Sequence, residues 1–303
     1  MTFKKRISED KKAMGKATLA LLIVGVLLVT GVAYAGYSFY SDDKDKKDEV
    51  KVVEEGDRVE CDYIGAFTDG RVFDTSLLDV AHDNVNYPKA LQFSLRADHG
   101  YVPYSFTVGS GTTIEGWQDA VMGMSVGQTK VVRIEPAKAY GESNPDLILK
   151  GSLTVDVPLY STLDLMVFQE QFYGVAPTVG GSFYHPAWKW YCEVTDVQKE
   201  SGTITFKNMP DLNGIYTIYE KVNWQVRITN IDQTAGIGGK ITVKHLLSNE
   251  DANNIMIQEA DGSQFIVTEV NEEAGTYTMD YNREVVGKTL VFKITITDIV
   301  KAG

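Results

Sequence analysis

Near the C-terminus, Leu290, Phe292, Ile294 and Ile296 alternate with Val291, Lys293, Thr295 and Thr297, the period of two that gives a strand one buried face. The same period recurs at Val222, Trp224, Val226 and Ile228 against Asn223, Gln225, Arg227 and Thr229, and at Val59, Cys61 and Tyr63 against Arg58, Glu60 and Asp62. A different spacing marks Trp117, Ala120, Val121 and Met124. Their i, i+3, i+4, i+7 pattern, with Gln118 and Asp119 opposite, predicts an amphipathic helix packed on a sheet. Between residues 142 and 281, turn signals at Asn213-Gly214, Gly238-Gly239 and Asp261-Gly262 separate strand-like runs. No stretch there has a helical period of like clarity, so this region is expected to be mostly β.

One apolar run stands apart. From Ala17 to Ala35 there is no charged residue, and such a length suffices to cross a bilayer as a helix. Lys4, Lys5, Arg6, Lys11, Lys12 and Lys16 precede it, which keeps that end in the cytoplasm and the body outside. Ala33-Tyr34-Ala35 before Gly36 also fits a signal-peptidase site. The two readings are therefore an uncleaved single-pass anchor over 17–37 and a protein secreted after cleavage near Ala35; the length of the run favours the anchor. The stretch SDDKDKKDE at 41–49 cannot bury itself and reads as a solvated tether within a linker over 38–50.

Composition narrows the partners. The 303-residue chain is 44% hydrophobic with a formal net charge of −12, enough apolar material for two or three compact domains. Residues 1–16 carry six basic and two acidic side chains, which leaves −16 on everything after them. Such a body repels nucleic acid and anionic lipid. Cys61 and Cys192 are the two cysteines; neither has a second cysteine at metal or redox spacing, and an exterior location would permit a bridge between them. His82, His99, His185 and His245 occur singly, so no metal site and no cofactor is expected. Gly109-Ser110-Gly111 lacks the third glycine and the lysine of nucleotide-binding loops and is read as a tight turn.

Four blocks carry a resemblance. Asp62-Tyr63-Ile64-Gly65-Ala66-Phe67-Thr68-Asp69-Gly70-Arg71-Val72-Phe73-Asp74-Thr75-Ser76 holds an aromatic, a glycine, a hairpin turn and Phe-Asp-Thr-Ser; FTVGSGTTIEGWQDAVMGMSVGQ follows at 106–128. Then come Pro136-Ala137-Lys138-Ala139-Tyr140-Gly141 and Gly287-Lys288-Thr289-Leu290-Val291-Phe292. In this order and spacing the chain resembles the FKBP-type peptidyl-prolyl cis-trans isomerases, in the long SlyD-like or archaeal form with a domain inserted in the flap. The resemblance implies an α+β fold, an antiparallel sheet wrapped on one helix, built from 51–141 plus 282–303. A large mostly β insert over 142–281 would interrupt it, and a transmembrane helix would precede it.

The resemblance further implies that Tyr63, Phe73, Asp74, Ile114, Trp117, Tyr140 and Phe292 form the catalytic hollow, floored by Trp117, with Tyr104 and Thr113 adding to substrate binding. In the family, the backbone N–H at the Ile114 position binds the carbonyl next to the substrate proline, and the hydroxyl at the Tyr140 position reaches another substrate carbonyl. Unfolded or proline-containing polypeptides, and macrolide ligands of the family, are the implied partners. The family's returning motif Asn-His-x-Leu-Ala-Gly reads Asn282-Arg283-Glu284-Val285-Val286-Gly287 here, which leaves the contacts of that loop open. Phe106 and Val121 are expected to be plain core, and Asp74 has a turn or capping role as its alternative. The aromatics Phe168, Phe172, Tyr173, Phe183, Tyr184, Trp188, Trp190 and Tyr191 supply either a docking surface for unfolded chains, as the family implies for its flap domain, or the insert's own core. The alternatives to the enzyme are a catalytically weak chaperone and a cell-surface binding protein on the same scaffold.

Overall fold

A computed structural model describes residues 51–236, 238–259 and 261–303. The apolar run at 17–37 and most of the charged linker lie outside the described residues. Among the described residues no helix is long and apolar enough to cross a membrane. The chain divides into two compact units, one ending at Asn144 and resuming over Asn282–Gly303, the other Pro145–Tyr281.

The first unit opens with β1 (Arg58–Phe67), β2 (Val72–Thr75), helix α1 (Leu78–His82), β3 (Tyr104–Thr107), helix α2 (Glu115–Val121) and β4 (Thr129–Ile134). The second holds β5 (Ile148–Ser152), β6 (Thr154–Pro158), β7 (Tyr160–Asp164), helix α3 (Leu165–Gln171), β8 (Ser182–Tyr184), β9 (Tyr191–Gln198), β10 (Thr203–Asn208) and β11 (Ile215–Tyr219). It continues with β12 (Trp224–Asp232), β13 (Lys240–His245), β14 (Met256–Gln258), β15 (Gln264–Asn271) and β16 (Thr276–Asp280). The last strand, β17 (Leu290–Val300), belongs to the first unit again.

In the first unit β17 lies between β1 and β4, antiparallel to both, paired from Arg58↔Val300 to Phe67↔Leu290 with a shift of register between Glu60 and Cys61 on one side, and from Leu290↔Ile134 to Thr295↔Thr129 on the other. The far edge of β1 is shared: β3 pairs with its first half and β2 with its second. Alternation places Leu290, Phe292, Ile294 and Ile296 with Val59, Cys61 and Tyr63 in one buried layer. Helix α2 covers that layer with Gly116, Trp117, Ala120 and Val121. Gly116 has a packing reason, because a Cβ there would collide with Ile134. The helix is only two turns long; Gly123, at φ +73°, turns the chain after it, and Met124 completes the apolar stripe from outside the helix while remaining buried.

The second unit contains three four-stranded antiparallel sheets, in the orders β7-β10-β9-β8, β11-β12-β13-β6 and β14-β15-β16-β5. The middle sheet contributes to two cores. Val226, Ile228, Ile241 and Val243 pack with Phe168, Phe172, Phe183, Trp190 and Phe206, whereas Trp224 packs with Leu153, Leu247, Phe265 and Val267. Helix α3 is the α-helix within this mostly β unit among the described residues: Asp164 accepts a hydrogen bond from Met166 N at 2.8 Å as its N-cap, and Phe168 is fully buried. Seven residues display too little of a 3.6 period to stand out in a sequence. Of the aromatics in 168–191, Phe168, Phe172, Phe183 and Trp190 are core, and Tyr173, Tyr184 and Tyr191 are exposed, Tyr173 at 95%. The bridge that an exterior location would permit is not formed: both cysteines are free and buried, Cys61 donating to Tyr104 O and Cys192 to Asn208 Oδ1.

His245 lies in the second core of this unit, and its Nδ1 accepts the Trp224 indole N–H at 3.0 Å. Burial holds its pKa down to about 4 from 6.5. The folded state therefore keeps a neutral ring while the unfolded chain binds a proton below about 6.5. This ring therefore leaves stability unchanged above that pH and lowers it as pH falls toward about 4, by about 3 kcal/mol in all. His245→Gln keeps an acceptor for Trp224 without a titrating ring, and is expected to flatten the loss of stability between pH 6.5 and 4 in urea unfolding followed by tryptophan fluorescence. An unchanged slope would contradict the assignment.

Candidate functional site

The candidate site begins at Tyr63 on β1, and the residues of the Phe-Asp-Thr-Ser block hold that tyrosine in place. Thr75 Oγ1 donates to Tyr63 O at 2.7 Å, and Tyr63 N donates to Ser76 Oγ at 2.9 Å. The Tyr63 hydroxyl donates to Asp74 Oδ2 at 2.7 Å. Burial, and then the Asp74 charge, push the phenol pKa far above its ordinary range, so the hydroxyl stays a fixed donor. Asp74 is thus the acceptor that orients Tyr63, and Arg96 Nη1 lies 3.2 Å from its Oδ1.

Around Tyr63 the rings meet edge to face. Trp117 from α2 lies 5.1 Å from Tyr63 and 4.8 Å from Phe292 by ring centroids, and Phe73 lies 5.4 Å from Phe292. Tyr104, at the start of β3, is 6.3 Å from Tyr63 and 5.9 Å from Trp117. Such pairs contribute about 0.5–1.5 kcal/mol each beyond area burial. Gly65 makes the convergence possible: a Cβ there would stand 2.7 Å from Phe73 and 2.8 Å from Phe292. The Trp117 Nε1–H is buried without a hydrogen-bond acceptor among the described residues. Cys61 is inert beside it, since burial, and then the neighbouring Asp62 charge, lift its thiol to about 12.

Ile114 is half-buried against this cluster and caps α2, its carbonyl accepting from Trp117 N at 3.1 Å. Its own N–H donates to no group among the described residues. Tyr140 stands at the edge, 40% exposed, with the Arg283 guanidinium 5.4 Å from its ring centroid. Burial raises its phenol pKa; Arg283 opposes that rise, while the Asp74 and Tyr104 groups add to it. Thr113 is half-buried, and its carbonyl accepts from Gln118 Nε2 at 3.2 Å. Phe106 and Val121 are core.

Three contributors escape a sequence reading. Arg96, in the long segment between α1 and β3, pairs with Asp74 and donates from Nη2 to Thr75 O. Glu284 is buried and accepts from Arg71 Nη1 at 2.7 Å and from Gln92 N at 3.0 Å. Val285 enters the same core as Phe292. No local pattern marks them, because each is selected by a contact distant in sequence. The altered return loop is therefore packed down by its own residues. Among the described residues no three His, Cys, Asp or Glu side chains gather as metal ligands. Gly65→Ala is expected to cost about 1–3 kcal/mol by overpacking and to weaken the near-UV circular dichroism of the ring cluster; a variant with unaltered spectrum and stability would show that the rings do not depend on this approach.

The family model described as FKBP-type peptidyl-prolyl cis-trans isomerase matches residues 49–160, the stretch that supplies β1 to β4 and α2. The short-type peptidyl-prolyl cis-trans isomerase of Methanocaldococcus jannaschii is 41% identical over 100 residues, 33% of this chain and 57% of that protein. FK506-binding protein 1A of Neurospora crassa is 31% identical over 100 residues, 33% of this chain and 66% of its own length. FK506-binding protein 3 of Dictyostelium discoideum is 25% identical over 173 residues, 55% of this chain and 77% of that protein. The chain thus spans less than two thirds of the archaeal and Neurospora relatives. Over residues 49–160, which run from the first unit into β5 and β6 of the second, the chain is thus similar to the FKBP-type peptidyl-prolyl cis-trans isomerases, the enzyme named by the matching model and, as a peptidyl-prolyl cis-trans isomerase, by the archaeal relative.

Proposed function

We propose that this protein isomerises X-Pro bonds of unfolded or exported polypeptides, with the proline ring seated on Trp117 between Tyr63, Phe73 and Phe292. The observation that carries the reading is the convergence of these four rings beside the undonated N–H of Ile114. Rotation about the bond faces a barrier of about 18–20 kcal/mol from amide resonance and breaks no bond. A catalyst therefore needs no nucleophile or cofactor. It needs an apolar hollow that disfavours the dipolar planar amide, together with groups that fit the twisted one. Ile114 N–H takes the carbonyl of the proline, the Tyr140 hydroxyl takes the carbonyl before it, and Tyr104 and Thr113 flank the bound chain. A thousandfold acceleration corresponds to about 4 kcal/mol of such differential binding. Macrolide ligands of the family would compete for the same hollow.

In this reading residues 17–37 tether the domain to the membrane with its body on the outer side, or are removed by cleavage near Ala35. The Pro145–Tyr281 unit would bind unfolded chains and present them to the hollow. The exposed Tyr173, Tyr184, Tyr191 and Met166 support that role. They equally favour a second reading, a chaperone whose isomerase activity is weak.

Tyr140→Phe removes one hydroxyl from an exposed ring and is expected to lower kcat/KM for a short proline peptide about two- to tenfold, the range of one hydrogen bond, with unfolding unchanged. Wild-type protein without turnover of such peptides would leave the chaperone reading in its place. Replacing 145–281 by a short loop is expected to spare peptide isomerisation and to slow proline-limited refolding of an unfolded protein; equal loss in both assays would argue against a separate client-binding role.

A further inference from the structure

The return loop fixes one guanidinium at the edge of the hollow. Arg283 is exposed over the Tyr140 ring, and its neighbours on both sides are held. Asn144 N donates to Asn282 Oδ1 and Asn282 Nδ2 donates to Asn144 O, each at 3.0 Å. On the other side, Glu284 is bonded to Arg71, its N–H donates to Gln92 Oε1 at 2.8 Å, and Val285 is buried. A cation presented by an anchored backbone loses less freedom on binding than one on a free loop.

Several other charges around the site are matched, while Lys288 lies over the Phe67 ring at 4.8 Å on the Phe73 side. Asp74 is paired with Arg96 at 3.2 Å, and Lys138 with Glu115 at 3.1 Å and Asp119 at 2.6 Å. Arg283 has no carboxylate within 4.0 Å among the described residues. It is a surplus positive charge on a body whose net formal charge, counted after residue 16, is −16. A general basic surface is therefore not its explanation.

Resting on the proposed isomerase reading, we infer that Arg283 selects polypeptides with an acidic side chain immediately before the proline, its guanidinium over Tyr140 meeting that carboxylate while the proline occupies the ring hollow. The direction follows from the two ends of the site. With the proline carbonyl on Ile114 N–H, the chain after proline leaves past Glu115, whose charge is already answered by Lys138, so no unpaired cation waits for an acid on that side. The residue before proline lies on the Tyr140 side, beneath Arg283. A planar guanidinium suits a carboxylate through two parallel hydrogen bonds, which a neutral amide of the same shape cannot match.

The test compares Glu-Pro and Gln-Pro peptides, identical otherwise, with the full chain in a mild non-ionic detergent. At low ionic strength kcat/KM is expected to be about two- to fivefold higher for Glu-Pro, the range of an exposed ion pair. The ratio should fall toward one in about 1 M salt, where the Debye length is about 3 Å. Arg283→Gln should bring the ratio to one in any salt, and Arg283→Lys should retain part of it. A wild-type ratio of one or below, or a ratio that survives Arg283→Gln, overturns the inference. Absence of turnover for both peptides overturns the isomerase reading instead; titration of the tryptophan fluorescence with the same two peptides then reads the preference as a ratio of Kd values, and equal values overturn it.

Discussion

The packing of the Trp117 indole between Tyr63 and Phe292 is the contact on which the first unit depends. Tyr63 stands on the opening strand and Phe292 on the closing one, with more than half of the chain between them, and the two meet only because β1 and β17 pair along ten residues. The indole closes the layer from the helix side. Remove any of the three and the neighbouring rings lose an edge-to-face partner as well as apolar cover. The same contact that completes the core thus also holds the ring cluster of the candidate site together, so the fold and that cluster are coupled.

That coupling places a demand on the ends of the excursion. A strand pair formed so late in the chain carries the loop-closure entropy of everything between. The first unit ties its two crossings together at close range: Asn144 and Asn282 exchange hydrogen bonds, and Gly287 N donates to Gly141 O at 2.9 Å. The excursion has cores of its own, so the closing strand returns from a folded unit and not from a free loop. Polar groups placed inside that unit are individually satisfied. Asn208 takes the Trp190 N–H at 2.9 Å and donates to Pro158 O at 2.9 Å, and His245 takes the Trp224 N–H; an unpaired group in either position would cost about 1–3 kcal/mol.

The departures from the family's return motif have a physical content. Replacing the family's histidine by Arg283 brings a fixed charge over Tyr140, and Glu284 next to it is held by Arg71 across 213 positions of sequence. Val285 still supplies the apolar anchor. The loop is held on both sides of Arg283 and presents one charge beside Tyr140.

Periodicity and local chemistry by themselves determined a good deal. The alternation at 290–297 dictates which face of β17 is buried, and the 117–124 stripe dictates the buried side of α2; both signals are short-range, set by strand pleat and helix pitch. Tyr63, Asp74 and Tyr140 are singled out by the resemblance that the Phe-Asp-Thr-Ser and Ala-Tyr-Gly blocks carry. Helix α3 left too short a trace, and the aromatics of 168–191 could not be divided between core and surface, because that division is made by strands as distant as β12 and β13. Arg96 on Asp74, Glu284 on Arg71 and Arg283 on Tyr140 were decided by tertiary structure alone. An ion pair or a cation over a ring has no period along a chain; it exists only once pairing of remote strands has brought the two groups within a few ångströms.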